Sequence, residues 1–279
     1  MIFLMKEMIV TILNMTAWRA DAPELFASFH VAASLITAAA AVTLAAWFSR
    51  RVRDAVDPFE KLVRILAITG WVLVILEVYK QLFLFFIVNN RAYDWWYFPF
   101  QLCSVPMYLC ILLPVMAHKT QRTFLTFMGG YTFVSAVATL IYPEDILRSY
   151  TVLTLHGFIW HGILLFISLL ILFTGKTDVS AGGLAKAAIL FASLCAVAVV
   201  INVAVEPVMQ SAGIAHSYAA MFYLNPYHIS PQPVVGGIQK TAGIAAGLLL
   251  YSLATAAAGS LVIILQAASG SRKAVSSTR

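Results

Sequence analysis

The chain has 279 residues, of which 61% are hydrophobic and 11% charged, with a mean hydropathy of +0.88. A soluble domain carries roughly 25% charged residues, so this composition excludes a water-solvated globule and requires lipid as the solvent for most of the surface. The net charge of +6 comes without basic patches interleaved with aromatics, which gives no nucleic-acid surface.

The predicted elements follow from apolar runs long enough to cross a bilayer, about 18 residues or more. Residues 1–23 are apolar but carry Lys6 and Glu7, lack a clean small-residue cleavage site, and read as an interfacial segment on the outer side rather than a signal peptide. Spans are then predicted over 25–48, 62–88, 99–117, 124–142, 152–173, 184–205 and 241–266. The loop over 206–237 carries no charge after Glu206 but holds His216, Asn225, Tyr227 and His228, and is expected to fold over the bundle as a lid. A tail follows over 267–279. The fold class is therefore all-α: one polytopic transmembrane domain over 1–279, a bundle of about seven helices.

Orientation follows from lysine and arginine. One side collects twelve: Arg50, Arg51, Arg53, Lys61, Arg64, Lys119, Arg122, Lys176, Lys186, Arg272, Lys273 and Arg279. The other has Lys6, Arg19, Arg91, Arg148 and Lys240, while Lys80 falls inside a span. The richer side is expected to face the cytoplasm of a cell membrane, with the N-terminus outside and the C-terminus inside. Trp95, Trp96, Tyr97 and Phe98 form an aromatic cluster at the outer mouth of the third run, where amphipathic rings favour the headgroup level. Gly243 and Gly247 form a GxxxG that reads as a helix-packing device.

Polar groups inside a bilayer cost free energy and need a reason. Cys103 follows Pro99-Phe100-Gln101-Leu102. With Pro99 as first helical residue, the next amides lack intrahelical partners. A thiol beside them at the positive end of the helix dipole is acidified, and the amides are placed to receive an oxyanion. Pro106 is expected to kink this helix and free the carbonyl of Leu102. The alternative is a small buried hydrophobe. His156 and His161 are five apart, about 140° around a helix, and are not expected to share a face. His161 lies at a depth compatible with Cys103, and a thiol with an imidazole base is the usual activated pair. The alternative for both histidines, and for His30, is a hydrogen bond between helices. Glu77 and Lys80, three apart in the second span, are spaced to pair on one face; with Gln101, His156 and Asn202 they are candidates for lining a polar cavity. Cys103, Cys110 and Cys195 give neither a disulfide framework nor a metal spacing, and no cofactor is expected.

Phe98-Pro99-Phe100-Gln101-Leu102-Cys103 resembles the Leu-Pro-Leu-His-Leu-Cys type signature of the YwaF family of bacterial membrane proteins, which is related to eukaryotic transmembrane protein 164. His161 ahead of Gly162-Ile163-Leu164 resembles that family's histidine, and Met221-Phe222-Tyr223-Leu224 its Asn-Tyr-Met-Tyr-Leu segment. The resemblance implies a membrane bundle related to Cys-dependent phospholipid acyltransferases and, more distantly, to Thr/His lipid hydrolases, with Cys103 as nucleophile and His161 as base. Two departures stand out: Gln101 replaces a frequent histidine, and the leading Asn-Tyr is missing. The expected function is lipid acyl transfer or hydrolysis, with membrane lipids as partners. The rivals are a small-molecule transporter or binding protein with Glu77, Lys80, Asn202 and the histidines lining its cavity, and a non-catalytic membrane protein.

Overall fold

The computed structural model describes residues 2–211 and 216–277, with side chains over 7–211 and 216–268. The side chains of Lys6, Arg272 and Lys273, part of the expected lid at 212–215, and the end of the tail with Arg279 lie outside the described residues.

The long regular elements of the described residues are all helices. They are α1 (Ile2–Met15), α2 (Ser28–Arg53), α3 (Pro58–Phe83), α4 (Val105–Leu112), α5 (His118–Phe127), α6 (Phe133–Ile141), α7 (Thr151–Thr174), α8 (Ala181–Ser211), α9 (Pro233–Ala242) and α10 (Ile244–Ser277). π-helical turns extend α3 to Val88 and join α5 to α6 through Met128–Thr132, so Pro58–Val88 and His118–Ile141 each run on as one helix. Six helices are long and apolar enough to cross a membrane.

The third apolar run differs from its expectation. Its helix covers only Val105–Val115, counting a final 3₁₀ turn, and spans about 16 Å at 1.5 Å per residue, half of a bilayer core of about 30 Å. Gly70 of α3 lies against Cys110 and Ile111. The ring of Phe59 lies 4.5 Å from that of His118. The short helix therefore runs beside the first half of α3, and the rest of this pass, 98–104, is half-buried non-helical chain with Leu102 and Ser104 enclosed. Such backbone is tolerated at membrane depth only where protein covers it.

α7 is the most buried of the six spans; α2 packs along it, and Leu164, Ile167, Leu170 and Ile171 are fully enclosed. One end of the bundle gathers Arg53, which donates to the Phe173 carbonyl at 3.0 Å, and Gln266, which donates to the Leu172 carbonyl at 2.8 Å. These bonds reach last-turn carbonyls at the end of α7, where the Leu172 carbonyl also accepts from the Gly175 cap amide at 3.1 Å. This is the basic end, with Arg50, Arg51, Lys61, Lys119 and Lys176 nearby in sequence. The opposite end holds 16–26, 89–98, 142–150 and 216–232. His30 is structural there: Nδ1 accepts from the Phe26 amide at 2.9 Å, and Nε2 donates to the Leu140 carbonyl at 3.2 Å.

The expected lid is instead built into the bundle. Ala219, Met221 and Phe222 are fully buried, with Leu224 and Asn225 nearly so. α10 crosses the π turn at Gly130, where any Cβ would strike the Gly259 carbonyl, so only glycine permits the approach. Gly243, at φ +90°, breaks α9 from α10, and Gly247 faces Gln239 of α9. The Gly243–Gly247 pair is thus a break plus one close contact.

Candidate functional site

A cavity of about 500 Å³ opens at the end opposite the basic one. Five residues of α7 line it: Leu153, His156, Gly157, Trp160 and His161. Successive offsets of 100° place them on one arc about 140° wide. The two histidines mark its edges, so they do line one cavity, contrary to the expectation that they would not share a face. The lining is wide enough to include both.

Cys103 lines the same cavity. The helix beyond it starts later than expected: Ser104 is its N-cap and Pro106 sits in its first turn, where a missing N–H costs nothing. The amides of Ser104 and Val105 both donate to the Gln101 carbonyl, at 2.8 and 3.2 Å, closing a turn around the thiol. Pro99 therefore starts no helix and Pro106 kinks none. Trp160 Nε1 donates to the Cys103 carbonyl at 3.0 Å, which sets the depth of Cys103 level with α7 residues 160 and 161.

His161 Nδ1 lies 2.8 Å from the Gly157 carbonyl. A carbonyl only accepts, so Nδ1 carries the proton and Nε2 keeps its lone pair. His156 Nε2 donates in turn to the Leu76 carbonyl of α3 at 3.1 Å, and its ring stacks on Trp160. Lys80 lines the cavity, with Nζ 2.9 Å from Glu77 Oε2 and 5.9 Å from the Trp160 ring centre. Gln81 Nε2 donates to Glu77 Oε1 at 2.7 Å and to the Tyr97 carbonyl at 2.6 Å. Glu77 thus anchors Lys80 and stays out of the lining.

Gln101 and Asn202 serve as backbone clamps. Gln101 Oε1 accepts from the Phe222 amide at 2.7 Å and its Nε2 donates to the Ala220 carbonyl at 2.9 Å. Asn202 accepts from the Met221 amide at 2.7 Å and donates to its carbonyl at 3.1 Å. Between them they hold Phe222 and Tyr223 at φ +54° and +57°, a left-handed conformation costing about 1–2 kcal/mol per residue for a side-chain-bearing residue. Gln101 borders the cavity; Asn202 does not.

The roof is polar. Tyr223 donates to Asp145 Oδ2, and Arg148 donates to Tyr97 Oη at 3.0 Å. Burial, then the neighbouring Asp145, hold the Tyr223 phenol well above its ordinary value, so it remains a donor. Burial also raises Tyr97, with Arg148 opposing it. Two further pairs tie 216–232 down: His216 to Asp94 at 2.6 Å, and His228 to Glu206. Among the described residues no group of three or more His, Cys, Asp or Glu side chains could hold a metal ion.

This bundle, with its Cys103-to-His161 cavity, was compared with known proteins. The family model for the TMEM164 family matches residues 25–257, most of the chain. The chain belongs to the TMEM164 family. No curated protein and no solved structure matches it. The TMEM164-family match runs from just ahead of α2 into the last span and includes the cavity and both clamps.

Three contributors to the site of this TMEM164-family chain escaped the sequence reading: Trp160, Tyr223 and Asp145. Trp160 carried a signal, an indole N–H between two candidate histidines deep in a span, where a donor needs a partner. Tyr223 stood inside the quoted Met221–Leu224 segment but without a role, and Asp145 carried no signal, because nothing local brings 143–148 to the 219–225 segment.

Proposed function

We propose that the protein is a membrane-embedded acyl-transfer enzyme acting on lipid, with Cys103 as nucleophile and His161 as base. The observation that carries this reading is one cavity lined by both residues, with His161 fixed in the tautomer whose Nε2 accepts a proton. In the reaction Nε2 takes the Cys103 proton as sulfur bonds to the carbonyl carbon of a lipid ester. The carbonyl π pair moves to oxygen. On collapse the carbon–oxygen bond to the leaving alkoxide breaks, and that alkoxide takes the proton back from Nε2–H. A hydroxyl, from a lyso-lipid or water, then attacks the thioester by the reverse sequence.

A cavity of this size takes the reacting part of a lipid and not its whole length. The rival solute pathway required Glu77 and Asn202 on the cavity wall, and neither lines it. The lysine and arginine bias puts the cavity end outside and the basic end in the cytoplasm.

The test is trapping of a hydroxylamine-sensitive acyl-protein with acyl-labelled phospholipid in detergent micelles. Labelling is expected with the native chain and lost in Cys103→Ala. Label retained in Cys103→Ala ends the proposal.

A further inference from the structure

We propose that Lys80 is the oxyanion donor of this site, a role that rests on the acyl-transfer reading above. The need arises from hydrogen-bond accounting around Cys103. Attack on an ester turns its carbonyl oxygen into an alkoxide, which requires a donor already in place. The expected donors were amides at a helix start before Cys103. In the structure the helix starts after it, and several amides there are occupied: Phe100 donates to the Phe98 carbonyl at 2.7 Å, Ser104 and Val105 to that of Gln101, and Met107 to that of Ser104 at 3.2 Å; those of Gln101, Leu102 and Cys103 are neutral donors, and a charge-assisted bond to an alkoxide is roughly twice as strong. Pro106 has no N–H.

Several of the stronger side-chain donors around the cavity are committed as well. Trp160 Nε1 holds the Cys103 carbonyl. Gln101 holds the backbone of Ala220 and Phe222. His156 Nε2 holds the Leu76 carbonyl, and Arg148 holds Tyr97 and the Asp145 carbonyl. An ammonium has three hydrogens, and that of Lys80 is paired with the Glu77 carboxylate at 2.9 Å. Two remain for the cavity.

Position agrees. Lys80 Nζ stands 5.9 Å from the centre of the same Trp160 ring whose nitrogen holds the Cys103 carbonyl. Its side chain is 22% exposed and that of Glu77 is 6%. The carboxylate thus sits behind the ammonium, fixed by Gln81, and the ammonium fronts the cavity. When sulfur attacks, the electron pair leaving the carbonyl π bond settles on oxygen beside Nζ. No proton moves to or from Lys80. When the leaving alkoxide departs, the pair returns to the carbonyl. Lys80 is a catalytic residue on this assignment, and Glu77 positions it.

The experiment follows single-turnover acylation of Cys103 by an acyl-labelled diacyl glycerophospholipid in mixed micelles, beside alkylation of the same thiol by iodoacetamide. Alkylation passes through no oxyanion. Lys80→Met is expected to slow acylation by about 100-fold or more, with KM nearly unchanged and alkylation far less affected. Lys80→Arg restores part of the rate. Glu77→Gln combined with Lys80→Met removes the pair together, recovers the melting temperature and leaves acylation slow. Acylation of Lys80→Met at the native rate overturns the assignment, as does an equal fall in acylation and alkylation. A native chain that forms no thioester overturns the acyl-transfer reading itself, and this assignment with it.

Discussion

Asn202 shows how a single side chain decides the shape of this site. Both ends of its amide are spent on the backbone of Met221, in a fully buried setting. Asn202→Leu would strand one N–H and one C=O away from water, at about 1–3 kcal/mol for each unsatisfied group. The expected result is a clearly lower melting temperature in detergent. Trp160→Phe keeps the ring face over which Lys80 sits but frees the Cys103 carbonyl. Acylation is expected to fall by up to about 100-fold through misplacement of sulfur, with the fold intact by circular dichroism. At this scale the sequence was informative about chemistry and weak about partners. Cys103, His161 and Lys80 stand out because polar groups inside apolar runs are costly. The use of Gln101 and Asn202 as clamps could not be read, since their partner is backbone more than a hundred residues away for Gln101 and in a chain reversal for Asn202.

Among the elements, long spans were legible and broken ones were not. Apolar runs locate α7 to within one residue at each end, and α2 and α8 to within three residues at the start and five or six at the end, because lipid demands length. The third run meets the same count but holds three prolines, Pro99, Pro106 and Pro114, and a hydropathy window cannot tell which one opens the helix. Ser104 ahead of Pro106 was the available signal, a capping residue type followed by proline in the first turn. The α5–α6 helix makes its own prediction. Gly130→Leu would drive a side chain into the Gly259 carbonyl, and such overpacking costs about 1–3 kcal/mol, read as a fall in melting temperature. The turn before α8 is governed by charge. Ser180 N and Oγ donate to Asp178 Oδ1 at 3.1 and 2.7 Å, and Ser180 Oγ accepts from the Gly183 amide at 3.0 Å. These bonds hold the Asp178 carboxyl below its ordinary value, so its contribution is present above that ordinary value and is lost as pH falls through the depressed one. Asp178→Asn is expected to reduce stability by under about 1 kcal/mol at neutral pH, with the difference vanishing in acid unfolding curves.

Across the whole molecule, the described residues traverse the bundle seven times, six as full helices and once as a short helix preceded by half-buried irregular chain. The two ends differ sharply in charge, and that asymmetry predicts an experiment. Single cysteines at Arg51, Lys119 and Lys176, in a Cys103→Ala, Cys110→Ala, Cys195→Ala background, are expected to resist a membrane-impermeant maleimide in intact cells. A cysteine at Arg91 or Glu144, both exposed, is expected to react. The reverse pattern inverts the topology.

An eleven-residue helix offers the insertion machinery too little greasy length to be kept in the bilayer by itself. Its entry must then wait for a neighbour able to cover its open backbone, and α3, whose glycine receives Cys110, is that neighbour. Cys103 would be the last part of its own pass to find a home. Assembly of the pocket would thus be a late event, completed only when 216–232 is drawn in and fastened by the amides of Gln101 in the irregular chain and Asn202 in α8.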